Sequence, residues 1–311
     1  MNQPKVTAII TTFNSERFLK QALDSVLAQA YAQCDILVVD NQSTDRTESI
    51  VRSYGSAARF YVVPERCDLA TARNHGMRLT RGEYIAFLDA DDVWLPGKIA
   101  RQVAFMDMRG DVPLCHTVCQ VIDAEGRACY VRHEGALPPT GYAFSLLLRH
   151  NFITISSALV RRKTLEEEGI EFISDPDRIR TGEDNMFFLM LARRHPVGLV
   201  NEVLAQYRKY GDSACDHLSW KSSPQNVPLH RHVLNSPVFW KGVVPRSEAA
   251  AALVEACLEN CVFWRGRGFP GRALYFAALA VWAGPTQRDL WMQCFKSMVR
   301  IICPKMSSKA P

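Results

Sequence analysis

The residues best equipped for chemistry are the three carboxylates of Asp89-Ala90-Asp91-Asp92. An apolar run ending at Leu88 leads directly into them, which puts all three at one strand end, where they can converge on a cation. Mg²⁺ and Mn²⁺ favour carboxylate oxygens and often bind through few protein ligands, with substrate phosphates completing the shell. Such an ion would neutralise the charge that builds on a departing diphosphate. In isolation the same acids make a solvated turn capping the helix after Pro96. Placed straight after a strand, they favour the metal reading.

Asp40 ends another strongly apolar run, and a carboxylate there can accept the N–H of a pyrimidine base. It can equally cap the helix that follows, although Ser43 and Thr44 are able to do that themselves. Thr11 and Phe13 close the first apolar run with a hydroxyl and an aromatic face suited to a base or a ribose; plain strand-end packing explains them as well. Arg73, beside Asn74, is a cation placed to meet phosphates or a base, or else an arginine at the surface with no task. Asp184 follows Glu183 immediately before an apolar helix. It is either a cap complementing the helix dipole or a general base that takes a proton from a hydroxyl.

Other chemistries lose support. GxGxxG and GxxxxGK[ST] are both missing, so dinucleotide and P-loop readings lack their phosphate loops. Neither HExxH nor a nucleophile elbow occurs. The 10 cysteines include no CxxC pair, and their scatter reads as reduced, mostly buried thiols rather than a zinc site. A net charge of +5 suits an anionic small molecule or a lipid head group but is too weak to point to nucleic acid.

These residues need elements to hold them. Across the first hundred positions, runs of period 2 alternate with runs of helical period. The spacing predicts strands at 6–10, 36–39, 60–63 and 84–88, and helices at 15–30, 44–54, 69–79 and 96–108. Strands alternating with helices imply a mostly parallel sheet sandwiched by helices, an α/β fold whose ligands bind beyond the carboxyl ends of the strands. The polar clusters at 11–14, 40–45 and 89–92 all fall at that edge. Further on, strands are expected at 114–122, 128–132 and 198–207, an extended stretch at 153–160, and helices at 144–149, 163–168 and 184–194. Residues 211–245 read as a loop-rich connector, and 246–311 as a helical extension with helices at 249–264, 272–282 and 289–302. Nothing has the roughly 20 apolar residues of a membrane-spanning helix. The last helices nevertheless mix aromatic with basic residues, as interfacial helices do, although packing on a protein surface would use the same residues.

Taken together, the motifs resemble the family 2 inverting glycosyltransferases of the GT-A fold. The matching stretches are Thr11-Thr12-Phe13-Asn14, Asp40-Asn41-Gln42-Ser43-Thr44-Asp45, Ala72-Arg73-Asn74 with Gly76, the segment from Gly82 to Asp92, and Gly182-Glu183-Asp184. The resemblance spans residues 4–210 and implies a catalytic domain over 1–210. By it, Thr11, Phe13, Asp40 and Asn41 would hold the nucleoside, and Arg73, Asp89, Ala90 and Asp91 would lie along a nucleotide-sugar donor. Asp91, assisted by Asp89, would bind Mn²⁺ or Mg²⁺, and Asp184 would be the catalytic base. It also implies a UDP-sugar donor, a glycan or lipid-linked acceptor in cell-surface polysaccharide synthesis, and a cytoplasmic enzyme peripheral to the inner face of the membrane. This sequence departs from the family pattern in two places. Asn41 stands where a second acid is common, and Tyr210 replaces the histidine of a Tyr-Arg-x-His segment. A metal-dependent nucleotidyltransferase would need a Gly-rich basic loop near the first strand, which residues 11–17 do not provide. A non-catalytic glycan- or lipid-binding scaffold would not need intact Asp89, Asp91 and Asp184.

Overall fold

The β-branched run Val6–Thr12 forms β1, and every residue of it is buried. A strand covered on both faces has to be apolar throughout, and this one lies at the centre of a sheet. In the computed structural model, residues 5–132, 138–174, 182–211, 227–236 and 241–266, with Ala273, are described. β2 (Cys34–Asp40) and β4 (Tyr84–Asp89) flank β1 in parallel, and β3 (Arg59–Val62) lies parallel to β2. The intervening helices α1 (Leu19–Leu27), α2 (Thr47–Arg52) and α3 (Leu69–Arg78) are each shorter than the periodicity predicts.

The two faces of this half-sheet follow from strand alternation. Val6, Ala8 and Ile10 of β1, with Tyr84, Ala86 and Leu88 of β4, share a buried cluster with Leu19 and Leu23 of α1 and with Ile99, Val103 and Met106 of α4 (Lys98–Met108). On the opposite face, Phe87 packs edge-on against Phe172 and Phe187. α3 comes so close there that a Cβ on Gly76 would lie 2.8 Å from Ile9 Cγ2 and 3.1 Å from Val39 Cγ2. Pro96 does not open α4 as expected; Gly97, at φ +84°, precedes the first turn instead.

Beyond β4 the sheet turns mixed: the order β3-β2-β1-β4 continues with β8 (Leu159–Arg161), β6 (Leu114–Ile122), β9 (Val197–Arg208) and β5 (Val93–Trp94), and β7 (Ala128–Val131) pairs with β6. β6 (Leu114–Ile122), β7 (Ala128–Val131) and β9 (Val197–Arg208) lie near their expected places. The extended stretch 153–160 divides into a 3₁₀ turn, Ile155–Ser157, and the short strand β8, Leu159–Arg161. β5, Val93–Trp94, has no sequence signal: two residues hold no periodicity, and they are strand only because β9 pairs with them. α6 (Arg162–Glu168) and α7 (Glu183–Ala192) complete this part.

The chain divides into two units. The sheet and its helices form the first, which takes in Met1–Phe144, Asn151–Pro176 and Glu183–Tyr210. The second contains most of α5 (Phe144–Arg149), together with α8 (Val227–Asn235) and α9 (Arg246–Gly266). Within it Arg149 pairs with Glu255, and α9 buries Ala252, Leu253, Ala256 and Cys257. α8 falls inside the stretch read as connector, where the prolines and histidines masked its helical period. Apart from Ala273, the helices expected at 272–282 and 289–302 lie outside the described residues, as does Thr181 ahead of α7. Among the described residues no helix is long and apolar enough to cross a membrane.

Candidate active site

Sheet register brings the sequence clusters to one edge. Thr12 lies opposite Asp40, and Thr11 opposite both Val39 and Asp89, so the ends of β2, β1 and β4 stand side by side. The loops after β1 and β2 are then tied together. Asn14 N donates to Ser43 Oγ, and Asn14 Oδ1 accepts from Thr44 N, each at 2.8 Å.

Asp40 is 3% exposed. Its Oδ1 accepts the Thr12 hydroxyl at 2.9 Å and the Ser43 hydroxyl, while Oδ2 accepts Ser43 N at 2.9 Å. The carboxylate thus braces its own loop and leaves the α2 cap free; in the first turn of α2, Thr47 N is met by Asp45 Oδ1. Asn41 spends both ends of its amide on one residue, accepting from Cys67 N at 2.9 Å and donating to Cys67 O at 2.7 Å. It fastens the segment ahead of α3, a task an acid could share only by halves, since it lacks the donor. Phe13 is 38% exposed and lies under the Arg66 guanidinium, 4.1 Å from ring centroid to Cζ. Thr11, by contrast, is buried.

Arg73 is not a surface residue. At 2% exposure it donates to Asp89 Oδ1 and to Glu183 Oε1, each at 2.8 Å, linking α3, the end of β4 and the first turn of α7. Burial opposes its charge, but Asp89 and Glu183 outweigh that and hold the guanidinium protonated. Asp184 is next to this pair. Its Oδ2 accepts Asn151 Nδ2 at 3.2 Å and its Oδ1 the N–H of Asn185 at 2.7 Å. Burial and the neighbouring Glu183 charge push its carboxyl up to about 6, and Arg73 works against them.

Asp89, Asp91 and Asp92 do not converge as a trio. Asp92 is buried, and its carboxylate is taken by the Ser156 hydroxyl and by Arg208 N. The same Ser156 Oγ accepts Asp89 N at 3.1 Å, so one buried hydroxyl braces the acidic turn at two points. Arg208 reaches Asp91 O at 2.8 Å and Gln21 Oε1 at 2.6 Å, fixing the turn from the β9 side. Asp89 and Asp91 remain. Burial and the charge of Asp89 raise the Asp91 carboxyl to about 6, and the Tyr210 hydroxyl donates to its Oδ2 at 3.1 Å. Ala90, between them, is buried. Two hard carboxylates crowding each other are a donor set that a divalent cation would relieve. Among the described residues no three His, Cys, Asp or Glu side chains group as a ready metal cage. A cation here would therefore depend on oxygens from its ligand.

Sequence reasoning did not single out Thr12, Asn151, Ser156 or Arg66. Thr12 could have been found, since strand alternation puts it and Thr11 on opposite faces. The others come from distant parts of the chain and carry no local signal.

The model of the family described as glycosyl transferase family 2 matches residues 7–169. An uncharacterized glycosyltransferase of Rickettsia bellii is 26% identical over 242 residues, which are 78% of this chain and 34% of that protein. The chain thus spans about a third of that relative's length. Among solved structures, S. aureus TarS 1-349 in complex with UDP-GlcNAc superposes at a TM-score of 0.69, with 16% identity over 98% of this chain and 92% of the other. The mannosyltransferase PcManGT of Pyrobaculum calidifontis, in complex with GDP-Man and Mn²⁺, superposes at 0.56, with 19% identity over 98% and 89%. At these identities the two structures share a fold with this chain, the GT-A arrangement.

Proposed function

Because the chain belongs to glycosyl transferase family 2, we propose that it moves a sugar from a UDP-sugar to an acceptor hydroxyl with inversion at the anomeric carbon. The observation that carries this reading is the ring of charge at the sheet edge, in which Arg73 joins Asp89 to Glu183 with Asp184 alongside. A carboxyl raised to about 6 is ionised at neutral pH yet basic enough to accept a proton in the transition state. Asp184 takes the acceptor's proton, and Asn151 orients its second oxygen. Arg73 keeps Asp184 ionised and sets Asp89 at its angle. Asp91 and Asp89 would hold Mn²⁺ or Mg²⁺, which when bound supplies positive charge to the diphosphate as it departs. PcManGT, bound to Mn²⁺, and TarS, bound to UDP-GlcNAc, support a metal and a nucleotide sugar. Thr11, Phe13 and Asp40 frame the nucleoside, and Ala90 lies along the donor. In the same reading, 1–210 is the catalytic domain, the acceptor belongs to a cell-surface polysaccharide or lipid-linked glycan, and the protein works at the cytoplasmic face of a membrane. The aromatic and basic residues of 272–302 support that last element, and liposome flotation of the full chain against a truncation at residue 245 tests it.

The test of the reaction is nucleotide release from UDP-, GDP- and dTDP-sugars, run on wild type, Asp184→Asn and Glu183→Gln. UDP-sugar turnover is expected, lowered about 10²- to 10⁴-fold by Asp184→Asn with donor affinity intact. Glu183→Gln should cost less. Near-wild-type transfer by Asp184→Asn with an inactive Glu183→Gln would hand the role to Glu183. No release from any donor would overturn the reading.

A further inference from the structure

Next to the acidic turn is an arrangement of cations that the roles given so far leave unused. The Phe18 ring carries two guanidinium groups, Arg208 at 4.5 Å and Arg17 at 4.6 Å from its centroid. Tyr210 meets the same ring edge-on at 5.0 Å, and Arg17 also lies 5.6 Å from the Tyr210 centroid. The two arginines differ in what they touch. Arg208 is buried and saturated, its donors spent on Asp91 O, Asp123 O, Ala124 O and Gln21 Oε1. Arg17 is exposed and makes no hydrogen bond or ion pair with a described residue, only the two ring contacts. A second positive charge beside an existing one is unfavourable without an anion to share. Here it is parked on aromatic faces, which hold a guanidinium by its plane and leave the N–H fork free to point outward.

The placement matters because of Tyr210. Its hydroxyl donates to Asp91 Oδ2, so the phenol is committed to organising that carboxylate and adds no positive charge. Arg17 stacks on the same tyrosine and brings to this corner a permanent charge whose five donors no described residue takes. A planar fork of this kind matches phosphate oxygens two at a time.

We propose that Arg17 is a binding residue for the terminal phosphate of the nucleoside diphosphate, held for that task by Phe18 and Tyr210. This rests on the nucleotide-sugar reading above and adds to it the group that receives the leaving phosphate opposite the carboxylate pair. It accounts for both oddities at once, an arginine unpaired among the described residues and set against a like charge, and a tyrosine whose hydroxyl is turned to Asp91.

The experiment is isothermal titration of UDP and UMP, GDP and GMP, and dTDP and dTMP in Mn²⁺ against wild type, Arg17→Ala and Arg17→Lys. For the diphosphate that wild type binds best, Arg17→Ala should weaken affinity about tenfold, the lower end for a charge-assisted contact at an exposed site. The matching monophosphate should change less than about twofold, because it lacks the phosphate concerned. Arg17→Lys, which keeps the charge and loses the fork, should fall between. Unchanged diphosphate affinity in Arg17→Ala, or an equal loss for mono- and diphosphate, would overturn the assignment while leaving the nucleotide-sugar reading intact. Absence of diphosphate binding by wild type would overturn both.

Discussion

Replacing Arg73 by Met keeps the bulk of the side chain and removes the charge that organises the site. In the structure this guanidinium makes two charge-assisted bonds of 2.8 Å, to Asp89 and to Glu183, from a position 3% exposed. Removing one partner of a buried ion pair costs about 3–5 kcal/mol where the other stays sealed from water. The side chains left behind are 29% and 15% exposed, so water takes up part of the loss. An expectation of about 2–3 kcal/mol follows, which for a unit of this size lowers Tm by about 4–12 °C. The sharper consequence is electrostatic. Arg73 is the cation that opposes the upward shift of Asp184, which has been pushed to about 6 by burial and Glu183. Losing an adjacent opposite charge raises a carboxyl by about 1–3 units. The folded pKa then moves to about 7 or above, and the ionised base that exists above this pKa is depleted at neutral pH. Transfer by Arg73→Met should fall about two- to hundredfold at pH 7 and recover to half or more of its limiting value by pH 9, with the acid limb displaced upward. Arg73→Lys should keep that limb within about half a unit of wild type. The assay is nucleotide release across pH 5 to 9 under saturating donor, beside thermal unfolding without ligand. A lowered Tm with an unmoved acid limb would refute the coupling of Arg73 to the base and leave it a purely structural tie.

In wild type, transfer should rise with pH along a limb centred near 6, the value to which Asp184 is pushed, and a limb near 4 in the same profile would deny it a perturbed base. UDP titrated with and without Mn²⁺ on wild type and Asp91→Asn should show metal-enhanced binding in wild type alone; equal affinity in all four cases rejects the metal role. Ser156→Ala removes the hydroxyl that serves both Asp89 N and Asp92, and should cost about 1–3 kcal/mol in denaturant unfolding, because it leaves Asp92 Oδ2 and the Asp89 N–H without that partner while Arg208 N still holds Oδ1. Gly76→Ala would set a Cβ 2.8 Å from Ile9 Cγ2 and should destabilise by about 1–3 kcal/mol, an effect that unchanged thermal stability would disprove.

The parts of this fold that the sequence announces are those where one chain segment decides the matter alone. The run 114–122 and the apolar repeat 144–149 carry their own period, and both match the structure end to end. β5 does not, since Val93 and Trp94 are strand only through Gln206 and Ala205. The acidic turn shows the same division. That Asp89, Asp91 and Asp92 end a strand is local information; which of them turn outward depends on Ser156 and Arg208, more than sixty residues away. Asn41 is the intermediate case. Its departure from an acid is visible at once, yet the reason is the N–H and C=O of Cys67, which only a carboxamide satisfies together.

The burial of Arg73 also has a signature in the sequence. On a helix, residues three apart share a face, and Ala70 and Gly76 stand three positions either side of it. A stripe of small residues marks a face that presses closely on something, and Gly76 does press on Ile9 and Val39. An arginine in the middle of such a stripe cannot reach water by its own helix surface and must be met by acids from elsewhere. Two acidic clusters were available in the sequence, at 89–92 and 183–184, and the buried cation joins one carboxylate from each. A charged residue flanked at helical spacing by small ones therefore marks a buried ionic centre in the sequence itself. Here that centre connects the candidate metal site to the candidate base.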